Sequence, residues 1–142
     1  MIPSERYVPS GKRPSYRELQ KKLLVAAAVV ALGDWMPVNP GHLQENWDEM
    51  AQIFEIDVET ADDQKNILMT AFGEVKPLHY IGSCPPRPAK ELAVAGLDLF
   101  VFRWQSECAL FKMAMMYLKF SIVGKGEKGP AYIHSIHPNH PS

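Results

Sequence analysis

Five polar residues spaced seven apart run through an otherwise apolar stretch in the C-terminal half of this chain. They are Glu91, Asp98, Gln105, Lys112 and Lys119. Seven residues are close to two turns of an α-helix, so these side chains would form one slowly drifting solvent-exposed stripe. In a β-strand the odd spacing would place successive members on opposite faces, which argues against a strand. The spacing therefore predicts a helix from about residue 88 to residue 120.

The apolar residues between these polar positions predict the same helix. They step along the chain by four and three, which is the pattern of a helix face packed into a core. The set is Leu97, Val101, Trp104, Cys108, Phe111, Met115, Leu118 and Ile122. The acids come first and the lysines last, in the order that the helix dipole favours. We therefore expect this helix to be long and mostly buried.

Three earlier helices are predicted from signals at their N-termini. Three amphipathic segments are each preceded by a polar side chain that can accept a hydrogen bond from the first helical turn. One of them also has a proline at the first helical position, where proline is well tolerated. These signals are Ser15 with Glu18, Asn39 with Pro40, and Thr60 with Asp63. Gly33 and Gly73 are expected to end the first and third of these helices.

Together the patterns predict a mainly α fold, a four-helix bundle-like single domain with one long buried C-terminal helix and a short β-hairpin. A chain of 142 residues is long enough to bury a core of this kind. We expect a basic irregular arm over residues 1–14, the helical domain over 15–123, and a loop, a hairpin strand and a histidine-containing tail over 124–142. The hairpin would pair residues 120–123 with 131–136.

The net charge of −1 hides a strong segregation of charge along the chain. Residues 1–22 carry six bases and two acids, whereas residues 34–75 carry ten acids and one base. Such a charge dipole can orient association with a basic partner, although a solvated acidic face is the simpler interpretation. We interpret the chain as a non-catalytic protein-binding accessory or inhibitor factor, of the immunity type, that engages a basic macromolecule. The predicted partner-binding residues are Glu45, Asp48, Glu49, Asp62, Asp63 and Trp35.

An alternative function rests on three histidines near the C-terminus. His134, His137 and His140 are spaced three apart, and neutral imidazoles bind transition metals. In a strand His134 and His137 would face opposite sides, so a further ligand would have to come from elsewhere. This alternative interprets the chain as a metal- or small-ligand-binding protein, a class that includes enzymes. No other cofactor is expected.

A second alternative makes the chain a helical subunit of a nucleoprotein complex, with the basic arm on backbone phosphates. The loop of residues 124–129 matches G-x-G-x-x-G, but no strand–helix unit surrounds it, so the match is expected to be accidental. We find no set of residues that predicts catalysis. The sequence pattern does not decide between a monomer and a homo-oligomer.

No membrane span is predicted, because the longest apolar run, residues 23–32, is far shorter than the ~20 residues that cross a bilayer. The two cysteines lack the pattern of a secreted disulfide framework, so a reducing, cytoplasmic location is expected.

Overall fold

The computed structural model describes residues 14–84, 99–122 and 130–139, which form three helices and one five-stranded mixed sheet. The helices are α1 (Tyr16–Ala31), α2 (Pro40–Phe54) and α3 (Ala61–Glu74). The strands are β1 (Trp35–Pro37), β2 (Tyr80–Cys84), β3 (Leu99–Gln105), β4 (Met115–Ile122) and β5 (Ala131–Pro138). This is an α/β fold. The predicted mainly α, four-helix bundle is therefore wrong.

The long C-terminal helix is the source of that error. Residues 99–105 and 115–122 are strands, and a short 3-10 turn, Ala109–Phe111, lies between them. Lys112 and Met113 then adopt left-handed backbone conformations, with φ of 49° and 56°, which no continuous helix contains. The first part of the predicted helix, with Glu91 and Asp98, lies outside the described residues.

The period of seven misleads because β3 and β4 are interior strands of the sheet. Strands buried on both faces read as nearly continuous apolar runs, and such runs match a helical spacing as easily as a strand spacing. In β3, Val101 and Phe102 are both fully buried although they point to opposite faces. The aromatic and β-branched content of both segments is the signal that favoured strands.

The three N-terminal capping predictions are confirmed. The side chains of Ser15, Asn39 and Thr60 accept hydrogen bonds from backbone N–H groups three residues later, at 3.1, 3.1 and 3.0 Å. Each bond satisfies a donor that has no partner inside the helix. Gly33 follows α1 with a φ of 79°, as expected of a helix stop, whereas α3 continues one residue past Gly73.

The sheet has the strand order β1-β5-β4-β3-β2. Strands β2 to β5 pair antiparallel with their neighbours, and β1 pairs parallel with β5. The predicted pairing of residues 120–123 with 131–136 is confirmed as part of the longer β4–β5 ladder, in which Phe120 lies opposite Ile133 and Leu118 opposite Ile136.

The three helices pack against one face of this sheet. Alternate residues of β3, β4 and β5 join the buried faces of all three helices in a single core cluster. Its fully buried sheet members include Phe102, Trp104, Met116, Leu118, Phe120, Ile133 and Ile136. Helices α1 and α3 pack on each other, while α2 packs mainly along β5. The core thereby fixes α2 beside the last strand.

Strand β5 contains a bulge that determines how α2 attaches to it. The β4 partner changes from Lys119 opposite Ser135 to Phe120 opposite Ile133, so His134 is the extra residue. Strand β1 pairs with β5 only as far as Ile133. Beyond the bulge, the backbone N–H of Ile136 donates to Asn46 Oδ1 of α2 at 2.9 Å. Asn46 is buried, with an exposed fraction of 5%. A helix side chain therefore completes the edge of the strand where β1 ends.

Replacing Asn46 with alanine is expected to destabilise the fold by about 1–3 kcal/mol, because the buried N–H of Ile136 would lose its acceptor. The free energy of unfolding in urea measures the effect. Gln44→Ala is the control, since Gln44 is an exposed residue of the same helix whose amide bonds Asp48 one turn away. Equal losses in the two variants would contradict the role assigned to Asn46.

Candidate functional sites

The predicted acidic face lies on the outer side of α2 and at the start of α3. Glu45, Asp48 and Asp62 are exposed, whereas Glu49 and Asp63 are half-buried. The Asp63 carboxylate also accepts a hydrogen bond from the backbone of Thr60 at 3.3 Å, as part of the α3 capping box. Asp63 therefore has a structural role, and the exposed acids are better placed to meet a partner.

A cleft lies between α2 and the segment that leads into α3. Its volume is about 540 Å³. The lining residues are Gln44, Asp48, Ala51, Gln52, Val58, Glu59 and Gln64. Three of these side chains carry amides, two carry carboxylates, and this lining contains no base. The cleft therefore combines negative charge with uncharged donors and acceptors over a small apolar floor.

Two hydrogen bonds shape the walls of this cleft. Gln64 Nε2 donates to the carbonyl oxygen of Val58 at 2.9 Å, which ties the loop to α3. Gln44 Nε2 donates to Asp48 Oδ1 at 3.0 Å, along one face of α2. Asp48 is thus the predicted partner-binding residue that the structure places in a concave site. Glu59 also lines the cleft, although it is not among the predicted partner-binding residues.

Trp35 lies in β1 and packs edge-to-face against the buried Trp47, with ring centroids 6.2 Å apart. Its side chain is half-buried against the core. Part of the ring is therefore used in packing between β1 and α2. A role for Trp35 in partner binding stays a prediction.

The histidines of the predicted metal site have different environments. His134 and His137 lie in β5, and His140 lies outside the described residues. His137 stacks on Tyr117 at 4.8 Å, and its Nδ1 is 2.7 Å from the Pro138 carbonyl oxygen. Over residues 14–84, 99–122 and 130–139, no group of three or more His, Cys, Asp or Glu side chains is placed to hold a metal ion. The three-histidine site stays a prediction.

His134 instead meets a histidine from α2 around a buried hydroxyl. Ser135 Oγ is 2.9 Å from His42 Nε2 and 2.5 Å from His134 Nδ1, and the two rings are 5.0 Å apart. A hydroxyl donates only one hydrogen bond, so when it donates to one ring nitrogen, the other nitrogen donates to the oxygen. Ser135 is buried, with an exposed fraction of only 3%. We therefore interpret the cluster as a tie between α2 and the bulge.

No sequence pattern predicted this cluster, because His42 and Ser135 are 93 residues apart. Only the β5 bulge and the register of α2 bring them together. The histidine spacing within the tail pointed to neighbours along the chain, whereas the partner of His134 comes from another element.

A double-mutant cycle on His42→Ala and Ser135→Ala is expected to show coupling of about 0.5–3 kcal/mol in the free energy of unfolding, because the two side chains share one hydrogen bond. Urea denaturation of the two single variants and the double variant measures it. Additive effects, within about 0.5 kcal/mol, would show that the contact is not an energetic tie.

A carboxylate at the end of α3 forms a second polar cluster. Glu74 accepts hydrogen bonds from Trp104 Nε1 at 3.1 Å, Ser106 Oγ at 2.8 Å and the backbone N–H of Glu107 at 2.8 Å. Burial by itself raises the pKa of Glu74, but these bonds, together with the backbone of Cys108, outweigh it and hold the pKa below its ordinary value. The ionised carboxylate thus anchors the turn after β3 to α3.

Because the folded pKa of Glu74 is lowered, its ionised form stabilises the fold above the ordinary glutamate pKa of about 4.3. That contribution is lost as the pH falls through the lowered value. Glu74→Gln is expected to cost about 1–3 kcal/mol at neutral pH and to make the loss of stability below about pH 4.3 less steep.

Urea denaturation from neutral to acidic pH measures this dependence. Glu55→Gln is the control, since Glu55 pairs with Lys112 at 2.7 Å on the open surface, where solvent screens the interaction. If the free energy of unfolding of Glu74→Gln falls below about pH 4.3 as steeply as that of the wild type, the role assigned to Glu74 is contradicted.

Comparison of the chain with protein-family models, with curated proteins and with solved structures found no match. Within the part of the chain that the structure describes, no helix is both long and apolar enough to cross a membrane.

Proposed function

We propose that this chain is a non-catalytic accessory or inhibitor protein that binds a basic macromolecule, with a lysine or arginine side chain of the partner held in the cleft between α2 and α3. The observation that carries the proposal is the composition of the cleft lining. Two carboxylates, three amides and an apolar floor match the two parts of a long basic side chain, its charged head and its aliphatic stem.

The carboxylates and amides would divide the recognition between them. Asp48 and Glu59 supply negative charge at the cleft, and the amide oxygens of Gln44, Gln52 and Gln64 accept hydrogen bonds from an ammonium or guanidinium group. Ala51 and Val58 offer apolar contact for the methylene groups. An arginine or lysine that enters this cleft would exchange water for charge-assisted hydrogen bonds, which are stronger than bonds between neutral groups.

The exposed acids around the cleft would contribute mainly to the association rate. Glu45 of α2 and Asp62 of α3 are exposed on the two helices that line the cleft. Exposed ion pairs contribute only about 0.2–1 kcal/mol each, but a field of one sign accelerates encounter with a basic surface. We therefore expect Glu45 and Asp62 to set the salt dependence of binding and the residues that line the cleft to set its specificity.

The test compares a cleft variant with a surface variant of equal net charge. Asp48→Asn/Glu59→Gln removes two charges from the cleft, and Glu55→Gln/Glu107→Gln removes two exposed charges that do not line it. Tagged wild type and both variants are used to capture partners from the native host at low and at high salt, with mass spectrometry of the bound fraction.

We expect the wild type and the surface variant to retain the same basic protein at low salt and the cleft variant to lose it. With that partner purified, the cleft variant should raise Kd about tenfold or more, which corresponds to about 1.4 kcal/mol. Equal retention by both variants would contradict the role of the cleft. Capture of no partner at either salt would contradict the proposed function as a whole.

A further inference from the structure

The outward face of α1 carries a second surface, unrelated to the cleft. Arg17, Lys21, Leu24, Ala28 and Ala31 are all exposed and follow one another by four, three, four and three residues. This is the spacing of residues that share one side of a helix. We call this set the outer stripe of α1. Its opposite side supplies Leu19, Leu23, Ala26, Val29 and Val30 to the core.

The C-terminal half of the outer stripe is apolar and open to solvent. Leu24 is 66% exposed, and Leu32, which caps the helix, is 83% exposed. The stripe has no charged residue after Lys21. Exposed apolar residues that adjoin one another on a helix, with charges at one end, are typical of an association surface.

The charges at the two ends of α1 are opposite. Arg17 and Lys21 lie on the outer stripe in the N-terminal half, whereas Lys22 is directed to the sheet, with its ammonium 5.7 Å from the centre of the Phe100 ring. The last turn of α1 contains no base, and exposed Asp34 follows it. The C-terminal end of the helix therefore presents negative charge, from its backbone carbonyls and from Asp34.

We propose that a second copy of this chain packs on the outer stripe, with the two α1 helices antiparallel and the two-fold axis at Leu24. Leu24 then meets its own counterpart, and Arg17 lies opposite Ala31 of the second copy. Asp34 of the second copy follows that end of the helix after Gly33, so its charge adds to the negative helix terminus that Arg17 meets. Lys21 lies over Ala28, where a small side chain leaves room for its aliphatic stem.

Charge complementarity selects the antiparallel arrangement. In a parallel pair, Arg17 and Lys21 would face the same bases of the second copy, and both negative helix ends would coincide. In the antiparallel pair, each basic end meets a negative end. A contact made by one helix from each copy is small, so we expect a dimer of modest affinity whose Kd responds measurably to single substitutions.

Sedimentation equilibrium of the full chain over concentrations up to about 1 mM tests the proposal. Leu24→Glu should raise the Kd of dimerisation about tenfold or more. Met113→Glu is the matched control, because Met113 is 65% exposed and lies outside α1. The control should leave Kd unchanged.

Arg17→Glu separates the charge effect from folding, since an acid in the first turn of α1 favours the helix. This variant should weaken the dimer, and Arg17→Glu/Asp34→Arg should restore it by exchanging the two charges. Circular dichroism confirms that each variant is folded. The proposal would be overturned if the wild type stays monomeric throughout the concentration range, or if Leu24→Glu leaves the Kd of dimerisation unchanged.

Cross-linking tests the orientation. In a Cys84→Ser/Cys108→Ser background, Leu24→Cys should form an interchain disulfide under mild oxidation, because Leu24 lies on the proposed axis. Ala31→Cys should not, because its counterpart is far away in the antiparallel pair. Efficient cross-linking of both variants would indicate a parallel pair and overturn the arrangement.

Discussion

Both edges of β5 need hydrogen-bond partners, and the way they obtain them positions most of the molecule. Strand β4 pairs with one edge, while β1 covers the other only as far as Ile133. The extra residue at His134 changes which N–H groups point outward, so that Ile136 bonds to Asn46 of α2. An unpaired buried N–H costs about 1–3 kcal/mol, so α2 is held in one register along β5. The polar contact of His42 with Ser135 and the outward direction of the cleft follow from that register.

The sequence predicted the features that depend on neighbouring residues. The capping boxes at Ser15 and Thr60 are formed within a few residues, and so is the cap at Asn39. The β4–β5 hairpin was predicted because its strands are close in sequence and apolar. The error at residues 99–122 has a different origin. Those strands are buried on both faces, and burial on both faces removes the alternation that distinguishes a strand from a helix. Whether a segment becomes an interior strand depends on the other strands beside it, which no local spacing records.

The candidate sites show the same distinction between local features and contacts made across elements. The exposure of Glu45 and Asp48 followed from the amphipathic stripe of α2, which is a local property. The cleft required the loop before α3 to fold back on α2, and it brings Glu59 and Gln64 to Asp48. The cluster at Ser135 required a bulge and a residue 93 positions away. Residue type and helical periodicity predict which side chains meet solvent. They do not predict which side chains meet one another across elements.

The two surfaces that we propose use opposite parts of the charge segregation. The acids of α2 and the loop before α3 would attract a basic partner, while the bases of α1 would be matched by the negative C-terminal end of the same helix in a second copy. Because exposed charges contribute about 0.2–1 kcal/mol each, neither surface obtains its specificity from charge alone. In the proposed interactions, the amides of the cleft and the exposed Leu24 of α1 would supply the rest. The outer stripe of α1 contains none of the residues that line the cleft, so the two proposed surfaces use different side chains of one chain.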